Sequence, residues 1–480
     1  MSEQVSRRTA LKAVGMGVAA LAVGAGPGAG VATAARGRLT ADDLRTALGG
    51  KVLFPGDPDY DAERAGFNTL FQQSPNAIVL AQTPQDVATA VRIGGGTGWP
   101  IAVQATGHGI CVPADGALLI NMREMNGVAV DTAARTARIS GGARWSDVLA
   151  VAAPAGLLPP VGSTSDVGAT GYATGGGVPV LGRTYGFASD RVRSIELVTP
   201  DGRLRCLTPQ RESDLFWAVR GGGSNFGAVT SFEIDLLPAA TVYGGGLVFP
   251  AAASAQAYRG YVEWTKTASD RITSVASFIR TPTSQVLRIE VVYVGSATDG
   301  AAEIAPLRAL NPVSDSVTDV PIAQLDTIFN VPTKPTANLV ESGLIGTLDA
   351  AGVEVVLNAV GFGAALPSGV AEIRHMGGAF SRPPAAPSAI GNRDAQYLVF
   401  LSNTVPQPDA AGSIEQAQQT ILTNLAPVLT GRTVPTFLGT VDTSVAAVRS
   451  AYTDSDWNRL LSLKHAYDPA NRFRINHNIR

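Results

Sequence analysis

Cysteine and histidine are scarce in this chain, which has 2 and 4 of them among 480 residues. The separation of Cys111 and Cys206 gives neither a CxxC pair nor a zinc-type ligand spacing, so we predict no metal site and no disulfide framework. Whether these two cysteines pair stays open, because sequence alone cannot place their Cα atoms within bonding range.

Charge is also low, with 16% charged residues and a formal net charge of −2. The 37 Lys and Arg residues are scattered, so the sequence offers no surface for phosphate backbones and predicts no nucleic-acid partner. With 45% hydrophobic residues the chain can bury one or two large cores, which excludes a disordered linker or adaptor. Its 53 glycines are often clustered, which indicates close approach of the backbone to a ligand.

Residues 1–34 are predicted to be an export signal. The pair Arg7-Arg8 precedes an apolar stretch, residues 13–26, that is too short and Gly-rich to span a bilayer, and Ala32-Thr33-Ala34 forms a small-x-small cleavage site. The arginines resemble a twin-arginine signal, with an ordinary Sec signal as the alternative. Since the twin-arginine export machinery carries folded proteins, often with a cofactor inserted, we expect a secreted mature chain that starts near Ala35 and has no membrane span.

The mature chain changes character along its length. Helix and strand patterns alternate from about residue 76 to 237, with Thr83-Pro84 typical of a helix start and Pro200-Asp201-Gly202 typical of a hairpin turn. Longer elements with Pro-rich breaks follow, and a helical pattern and a closing segment end the chain. We predict an α+β fold with domain segments at residues 35–238, 239–427 and 428–480.

Two glycine-rich segments are candidates for ligand binding. Residues 104–109 (Gln-Ala-Thr-Gly-His-Gly) come directly off a predicted strand, where small residues let backbone N–H groups approach an anion such as a pyrophosphate. Residues 161–177 are too rich in Gly, Ser and Thr to pack a core. Because an ordered-looking segment follows at once, we interpret them as a cradle rather than a flexible linker.

Five motifs in order and spacing point to a known family. They are Thr106-Gly107-His108-Gly109, residues 167–177, residues 183–190, residues 216–227, and Asp468-Pro469 with Asn476-His477-Asn478-Ile479. Together they resemble the berberine bridge enzyme-like branch of the vanillyl-alcohol oxidase flavoproteins, over nearly the whole mature chain. The resemblance implies a bipartite PCMH-type FAD-binding domain, made of residues 35–238 and 428–480. It also implies an α/β substrate domain with a large antiparallel sheet, residues 239–427.

The resemblance also assigns residues to the cofactor. His108 matches the histidine that bonds covalently to the 8α-methyl of FAD, and its alternative is a hydrogen-bonded loop histidine. Thr164 stands where many relatives have a second linking cysteine, so a single 8α-histidyl link is implied. The family's usual Arg and Gly before the histidine are Gln104 and Thr106 here. The implied FAD-binding residues are Gln104, Ala105, Thr106, Gly107, His108, Gly109, Thr164, Asp166, Val167, Gly168, Gly171, Tyr172, Thr174, Gly175, Asn476 and Asn478.

Four further residues are candidates for the chemistry. Val167 matches the position where the family associates valine with oxygen access, and loop packing is its alternative. Tyr452 matches a tyrosine near the flavin and is the candidate catalytic base, although a phenol with an ordinary pKa of about 10 needs a cationic or hydrogen-bonding neighbour for this. Its alternative is a half-buried packing tyrosine. His375 and Tyr397, on predicted strands of the substrate domain, are weaker candidates for substrate contact.

These features predict an exported FAD-dependent oxidase. It would take a hydride from an alcohol or amine carbon of a small-molecule substrate and pass the electrons to O₂, giving H₂O₂. A flavin dehydrogenase with another electron acceptor and a catalytically silent flavin- or metabolite-binding protein are the alternatives.

Overall fold

The computed structural model describes residues 40–364 and 366–480, so the predicted export signal lies outside the described residues. Its strands are β1 Val52–Leu53, β2 Ala77–Leu80, β3 Ile101–Gln104, β4 Leu118–Asn121, β5 Val128–Asp131, β6 Thr136–Ser140, β7 Leu157–Leu158, β8 Val192–Val198, β9 Leu204–Leu207, β10 Ala228–Asp235, β11 Leu237–Pro238, β12 Thr241–Pro250, β13 Ile272–Arg280, β14 Gln285–Tyr293, β15 Ser314–Asp315, β16 Thr318–Pro321, β17 Asn338–Ile345, β18 Gly369–His375 and β19 Tyr397–Thr404.

The α-helices of this part of the chain are α1 Ala41–Leu48, α2 Tyr60–Arg64, α3 Pro84–Thr97, α4 Trp145–Ala152, α5 Ala169–Thr174, α6 Gly182–Tyr185, α7 Ser213–Gly222, α8 Ala251–Thr265, α9 Ala297–Glu303, α10 Ala305–Arg308, α11 Asp326–Phe329, α12 Ala350–Val360, α13 Ala411–Leu425, α14 Val445–Ser450 and α15 Asp454–Tyr467. Short 3₁₀ turns lie at Gly49–Lys51, Ala153–Ala155, Ala188–Arg191, Gly223–Phe226, Ile322–Gln324, Gly378–Ser381, Pro408–Ala410 and Pro435–Phe437.

The strands form three small sheets and one large one. The small sheets have the orders β1-β2-β4-β3, β5-β6-β10-β8-β9 and β11-β7. The large sheet has the order β15-β12-β14-β13-β18-β19-β17, with β16 paired to β12, and all of its pairs are antiparallel. The predicted α+β class with a large antiparallel sheet is confirmed. The domain limits at 238 and 427 stay a prediction, with the large sheet spanning residues 241–404.

Local sequence signals have the expected effect at two places. Thr83 accepts a hydrogen bond from the Asp86 N–H at 3.1 Å and caps α3, whose first residue is Pro84. The predicted hairpin at Pro200-Asp201-Gly202 joins β8 to β9, and Gly202 adopts a positive φ of 75° that suits glycine there. Cys111 and Cys206 are both free thiols.

The two faces of the large sheet have different neighbours. On one face, Ala371 and Ile373 of β18 pack in a core with Tyr258 of α8 and residues of α12 and α13. The opposite face of the same strands carries charged side chains, which are described with the site below. Among the described helices, none is long and apolar enough to cross a membrane.

A buried lysine fixes the C-terminal segment. Lys464 of α15 is 2% exposed, and its Nζ donates to the Asp468 carboxylate at 2.7 Å and to the carbonyls of Asn225 and Phe473 at 2.8 and 2.9 Å. Asp468 in turn accepts from the backbone N–H of Phe473 at 3.0 Å. This network attaches residues 473–480 to the loop after α7.

Replacing this lysine is expected to destabilise the protein strongly. Lys464→Met leaves the Asp468 carboxylate buried without its cation, and such a loss costs about 3–5 kcal/mol. The control is Lys266→Met, because Lys266 pairs with Glu263 on the surface and an exposed pair contributes at most about 1 kcal/mol. Denaturant unfolding of both variants measures the difference, and equal losses would contradict the importance of the network.

Candidate functional site

The loop that carries His108 is held by close backbone contacts. It follows β3 directly, and the carbonyls of Thr106 and Gly107 accept hydrogen bonds from the N–H groups of Phe67 and Asn68 at 2.9 and 3.2 Å. Gly107 has a φ of +73°, and a Cβ at this position would lie 2.5 Å from the Cα of Gly66. Only glycine therefore fits at residue 107.

The His108 ring is held on one face and at one nitrogen. Phe67 stacks on it with a centroid distance of 3.8 Å and an interplanar angle of 12°, and Nδ1 lies 2.8 Å from Oγ1 of Thr106. Burial lowers the pKa of His108 to about 4, with Asp166 opposing and Arg144 adding to this effect. The imidazole is therefore neutral at physiological pH, which is the form that can act as a nucleophile.

The second glycine-rich segment lies against this loop. A Cβ on Gly168 would be 3.4 Å from both Ala105 Cβ and Thr106 Oγ1, so the two segments meet at that point. Asp166 forms an ion pair with Arg144 at 2.8 Å, and the Asp166 N–H donates to Thr164 Oγ1 at 3.4 Å. The half-buried Val167 packs against the apolar core.

Helix α5 continues the segment towards the turn at Gly223–Phe226. Thr174 Oγ1 donates to the Thr170 carbonyl at 2.8 Å and would lie 3.8 Å from a Cβ on Gly223. Gly171 faces open space, whereas Gly175 lies against Thr436.

The C-terminal segment closes this group of contacts. Asn476 Nδ2 donates to Ser224 Oγ at 3.1 Å. The Asn225 side chain also binds the C-terminal segment: it donates to the His477 carbonyl and accepts from the Ile479 N–H, both at 3.0 Å. The structure thus joins the His108 loop, the 161–177 segment, the 223–226 turn and residues 476–479 through a continuous series of contacts.

Several buried polar atoms in this region lack a partner in the described part of the chain. They are Thr170 Oγ1, Tyr172 Oη, Asn476 Oδ1 and Asn478 Oδ1. Since buried polar atoms are nearly always hydrogen-bonded, these orphans indicate a polar ligand. Glycines that admit a ligand to the backbone, together with orphaned hydroxyl and amide groups, fit a large polar cofactor such as FAD.

Two predicted cofactor residues differ in their contacts: the Gln104 amide is hydrogen-bonded within the protein, whereas Tyr172 packs by its ring and leaves its hydroxyl without a partner. Gln104 accepts from the Gln73 side chain at 2.8 Å and donates to the Ala65 carbonyl at 3.1 Å, so its amide stabilises the loop before the site. Tyr172 packs edge-on against Trp145 and fills the space over Gly162 and Gly177, and burial raises the pKa of its phenol.

The surroundings of the Tyr452 phenol do not favour a function as a catalytic base. It is 2% exposed, its hydroxyl donates to the Gly221 carbonyl at 3.0 Å, and burial raises its pKa. A carbonyl acceptor stabilises the neutral phenol. The nearby Arg432 donates to the Tyr452 backbone carbonyl rather than to the phenol. The contact instead fixes the Gly221–Gly223 backbone, next to Thr174 and Ser224.

His375 and Tyr397 lie on the helix-covered face of the large sheet rather than on the face towards the cofactor segments. They are directly opposite each other in the β18–β19 register. Tyr397 Oη lies 2.6 Å from Thr265 Oγ1 of α8, and Nε2 of His375 lies 3.0 Å from a guanidinium nitrogen of the buried Arg183. These contacts favour a packing function for both residues.

Sequence reasoning missed a charged cluster on the other face, formed by Arg288, Glu290, Glu372 and Arg374. Arg374 pairs with Glu372 at 2.6 Å and donates to Ser163 Oγ at 3.3 Å, which brings the cluster to the 161–177 segment. Burial raises the pKa of Glu290 to about 8. The sequence did contain a signal for this cluster. Charged residues stand at every second position of two otherwise apolar strands, and this spacing puts the charged side chains on one face of the sheet.

Comparison with known proteins agrees with this geometry. Residues 75–208 match the FAD binding domain family, and residues 436–480 match the family described as berberine and berberine-like. An FAD-linked oxidoreductase of Dictyostelium discoideum is 28% identical over 439 residues, covering 90% of this chain and 95% of that protein.

Another relative is the (R)-6-hydroxynicotine oxidase of Paenarthrobacter nicotinovorans, 28% identical over 451 residues that cover 90% of this chain and 97% of the relative. The crystal structure of 6-hydroxy-D-nicotine oxidase from Arthrobacter nicotinovorans superposes with a TM-score of 0.82 at 27% identity, covering 90% and 98% of the two chains. The fold and site define an FAD-binding oxidoreductase. The chain carries an FAD binding domain and a berberine-like domain, and it is similar over most of its length to FAD-linked oxidoreductases.

One glycine of the His108 loop gives a direct test of the site. Gly107→Ala is expected to reduce FAD retention, because a positive φ costs a non-glycine residue about 1–2 kcal/mol and the added Cβ collides with Gly66. Gly50→Ala, which lies outside the two glycine-rich segments, is the control, since its Cβ would meet nothing within 4 Å. FAD content per protein, measured by absorbance, should fall only in the first variant; an equal content in both would count against this loop as part of the site.

Proposed function

We propose that the protein is an exported FAD-dependent oxidase with its flavin attached covalently through the single residue His108. It takes a hydride from an alcohol or amine carbon and passes the electrons to O₂, which leaves as H₂O₂. The observation that carries the proposal is the neutral, stacked imidazole of His108 at the junction of the two glycine-rich segments.

FAD supplies the hydride acceptor of the reaction. The chain's own residues would hold it: the backbone of residues 105–109 and 168–171 would lie against it, and the orphaned amide oxygens of Asn476 and Asn478 would accept hydrogen bonds from it. Thr164 cannot form a thioether, so His108 makes the only covalent link. Tyr452 fixes the backbone at Gly221 and does not act as the base.

The substrate lies on the charged face of the large sheet. The Glu372 carboxylate, paired with Arg374, takes the proton from the oxygen or nitrogen of the substrate. Burial raises the pKa of Glu290 to about 8, and its carboxyl accepts a hydrogen bond from the Ser277 hydroxyl at 2.9 Å. The similarity to a 6-hydroxynicotine oxidase supports an amine substrate alongside an alcohol.

The decisive experiment is acid precipitation of the purified protein, followed by an absorbance spectrum and peptide mass mapping. The flavin is expected to stay with the pellet, on the peptide that contains His108. His108→Ala should release it into the supernatant while binding of added FAD persists. Release of flavin from the wild-type protein would refute the covalent link.

The same preparation separates an oxidase from the two alternatives. After anaerobic reduction by a panel of amines and alcohols, admitting O₂ should restore the oxidised spectrum with one H₂O₂ per flavin. Val167→Leu, which adds bulk at the position linked to oxygen access, should slow this reoxidation without slowing reduction. Reoxidation by a quinone or dye but not by O₂ would indicate a dehydrogenase, and a flavin that no substrate reduces would indicate a binding protein.

Export by the twin-arginine machinery is proposed from Arg7-Arg8 and the apolar segment that follows. Replacing both arginines with lysine should retain the protein inside the cell as an uncleaved precursor that holds FAD. N-terminal sequencing of the exported wild-type protein should start near Ala35. Undiminished export of the double-lysine variant would favour the Sec alternative.

A further inference from the structure

The guanidinium of Arg374 uses only part of its hydrogen-bonding capacity. Nε and Nη2 both lie against a single oxygen of Glu372, Oε2, at 2.7 and 2.6 Å, and Nη2 also donates to Ser163 Oγ at 3.3 Å. Within residues 40–364 and 366–480, no acceptor binds the two N–H groups of Nη1, and Glu372 Oε1 accepts no hydrogen bond. The ion pair therefore offers one donor nitrogen and one acceptor oxygen that these residues leave unused.

The guanidinium of Arg374 is also fixed in position. Its Cζ lies 5.9 and 5.2 Å from the ring centroids of Phe400 and Phe437, which are 5.0 Å apart. The Phe437 carbonyl accepts a hydrogen bond from Ser342 Oγ, and Ser342 lies opposite Phe400 in the β17–β19 register. Arg374 is only 7% exposed, and buried polar groups are nearly always hydrogen-bonded. An immobile, buried cation with unused N–H groups indicates an acceptor that belongs to a ligand.

The charges on this face of the sheet do not balance. Arg288 and Arg374 are permanent cations. Burial raises the pKa of Glu290 to about 8, so its carboxyl is largely neutral at pH 7. Of these residues and Glu372, the last therefore supplies one negative charge against two positive charges. The surplus positive charge favours a ligand that brings a negative charge into the site.

We infer that the substrate carries a carboxylate, which accepts from the free N–H groups of Arg374 Nη1 while Oε1 of Glu372 takes the proton of the reacting group. The inference rests on the substrate position and the base proposed above, and it adds the chemical class: a hydroxy acid or an amino acid. The carboxylate itself does not react, because the substrate loses its hydride to FAD and its proton to Oε1. Arg374 is thus a residue that determines specificity.

The geometry of the guanidinium suits this second acceptor. The edge formed by Nε and Nη2 is occupied by Glu372, whereas the edge that ends in Nη1 is open to another carboxylate. One arginine thereby holds the base and the substrate side by side. A lysine could not do both in the same way, because an ammonium lacks the planar fork of donors.

The first measurement needs no variant. The wild-type holoprotein is titrated by isothermal calorimetry with acetate, benzoate and phenylacetate, and with the matching uncharged amides acetamide, benzamide and phenylacetamide. At least one carboxylate is expected to bind about tenfold more tightly than its amide, the effect of a hydrogen bond between charged groups. Equal affinities within every pair, or no binding of any carboxylate, overturn the inference.

The second measurement compares Arg374→Gln with Arg374→Lys in the full-length protein. Glutamine removes the cation, so the carboxylate should bind no better than its amide, while the affinity for the amide stays unchanged. Lysine keeps the charge and should retain an intermediate preference. The control is Arg259→Gln, because Arg259 pairs with Glu354 on the surface and its loss should leave the preference intact. A structural effect of residue 374 would weaken acid and amide equally, and either this result or a full carboxylate preference in Arg374→Gln contradicts the inference.

Anaerobic reduction of the flavin separates this inference from the proposed function. Reduction by neutral alcohols or amines as fast as by the corresponding acids overturns the inference and leaves the proposed oxidase intact. A carboxylate preference in binding, with a flavin that no acid, alcohol or amine reduces, refutes the oxidase and leaves a carboxylate-binding site.

Discussion

The buried ammonium of Lys464 is the interaction on which the FAD site depends most. It holds three acceptors from α15, the loop after α7 and the C-terminal segment, so these three parts cannot move independently. This attachment, together with the hydrogen bonds of Ser224 and Asn225 to residues 476–479, holds the segment that carries the amides of Asn476 and Asn478. An ammonium in such a place is expensive to desolvate, and the complete set of acceptors compensates for that cost.

Much of the fold and part of the site could be predicted from sequence, for identifiable reasons. The cap at Thr83, the hairpin at Pro200-Asp201-Gly202 and the loop at Gly107-His108 are determined by a few adjacent residues. The resemblance to the family assigns FAD to segments that the structure brings together, because its motifs are local as well. Glycine at 107 is required by a positive φ and by the nearness of Gly66, which the structure explains and the sequence only suggests.

The charged face of the large sheet could not be predicted so well, because it depends on register between distant strands. Val275 lies opposite both Glu290 and Arg374, although these residues are 84 positions apart. The charges of Glu372 and Arg374 alternate along β18 and put His375 on the opposite side, but the sequence does not show what covers that side. For Tyr452, the partner that decides its chemistry is a carbonyl 231 residues away.

Along β14 and β18, apolar and charged residues alternate, so neighbouring residues lie on opposite faces of the large sheet and have different neighbours. Ile289 and Ile373 pack under the helices, while Glu290, Glu372 and Arg374 beside them face the cofactor segments. With the substrate on the charged face, as proposed, changes at the second set alter which small molecule is accepted without disturbing the packing of the first. Related chains can therefore diverge in substrate by substitutions at every second position while they retain the same scaffold and the same cofactor. This division of the strands provides a simple route for one architecture to acquire many specificities.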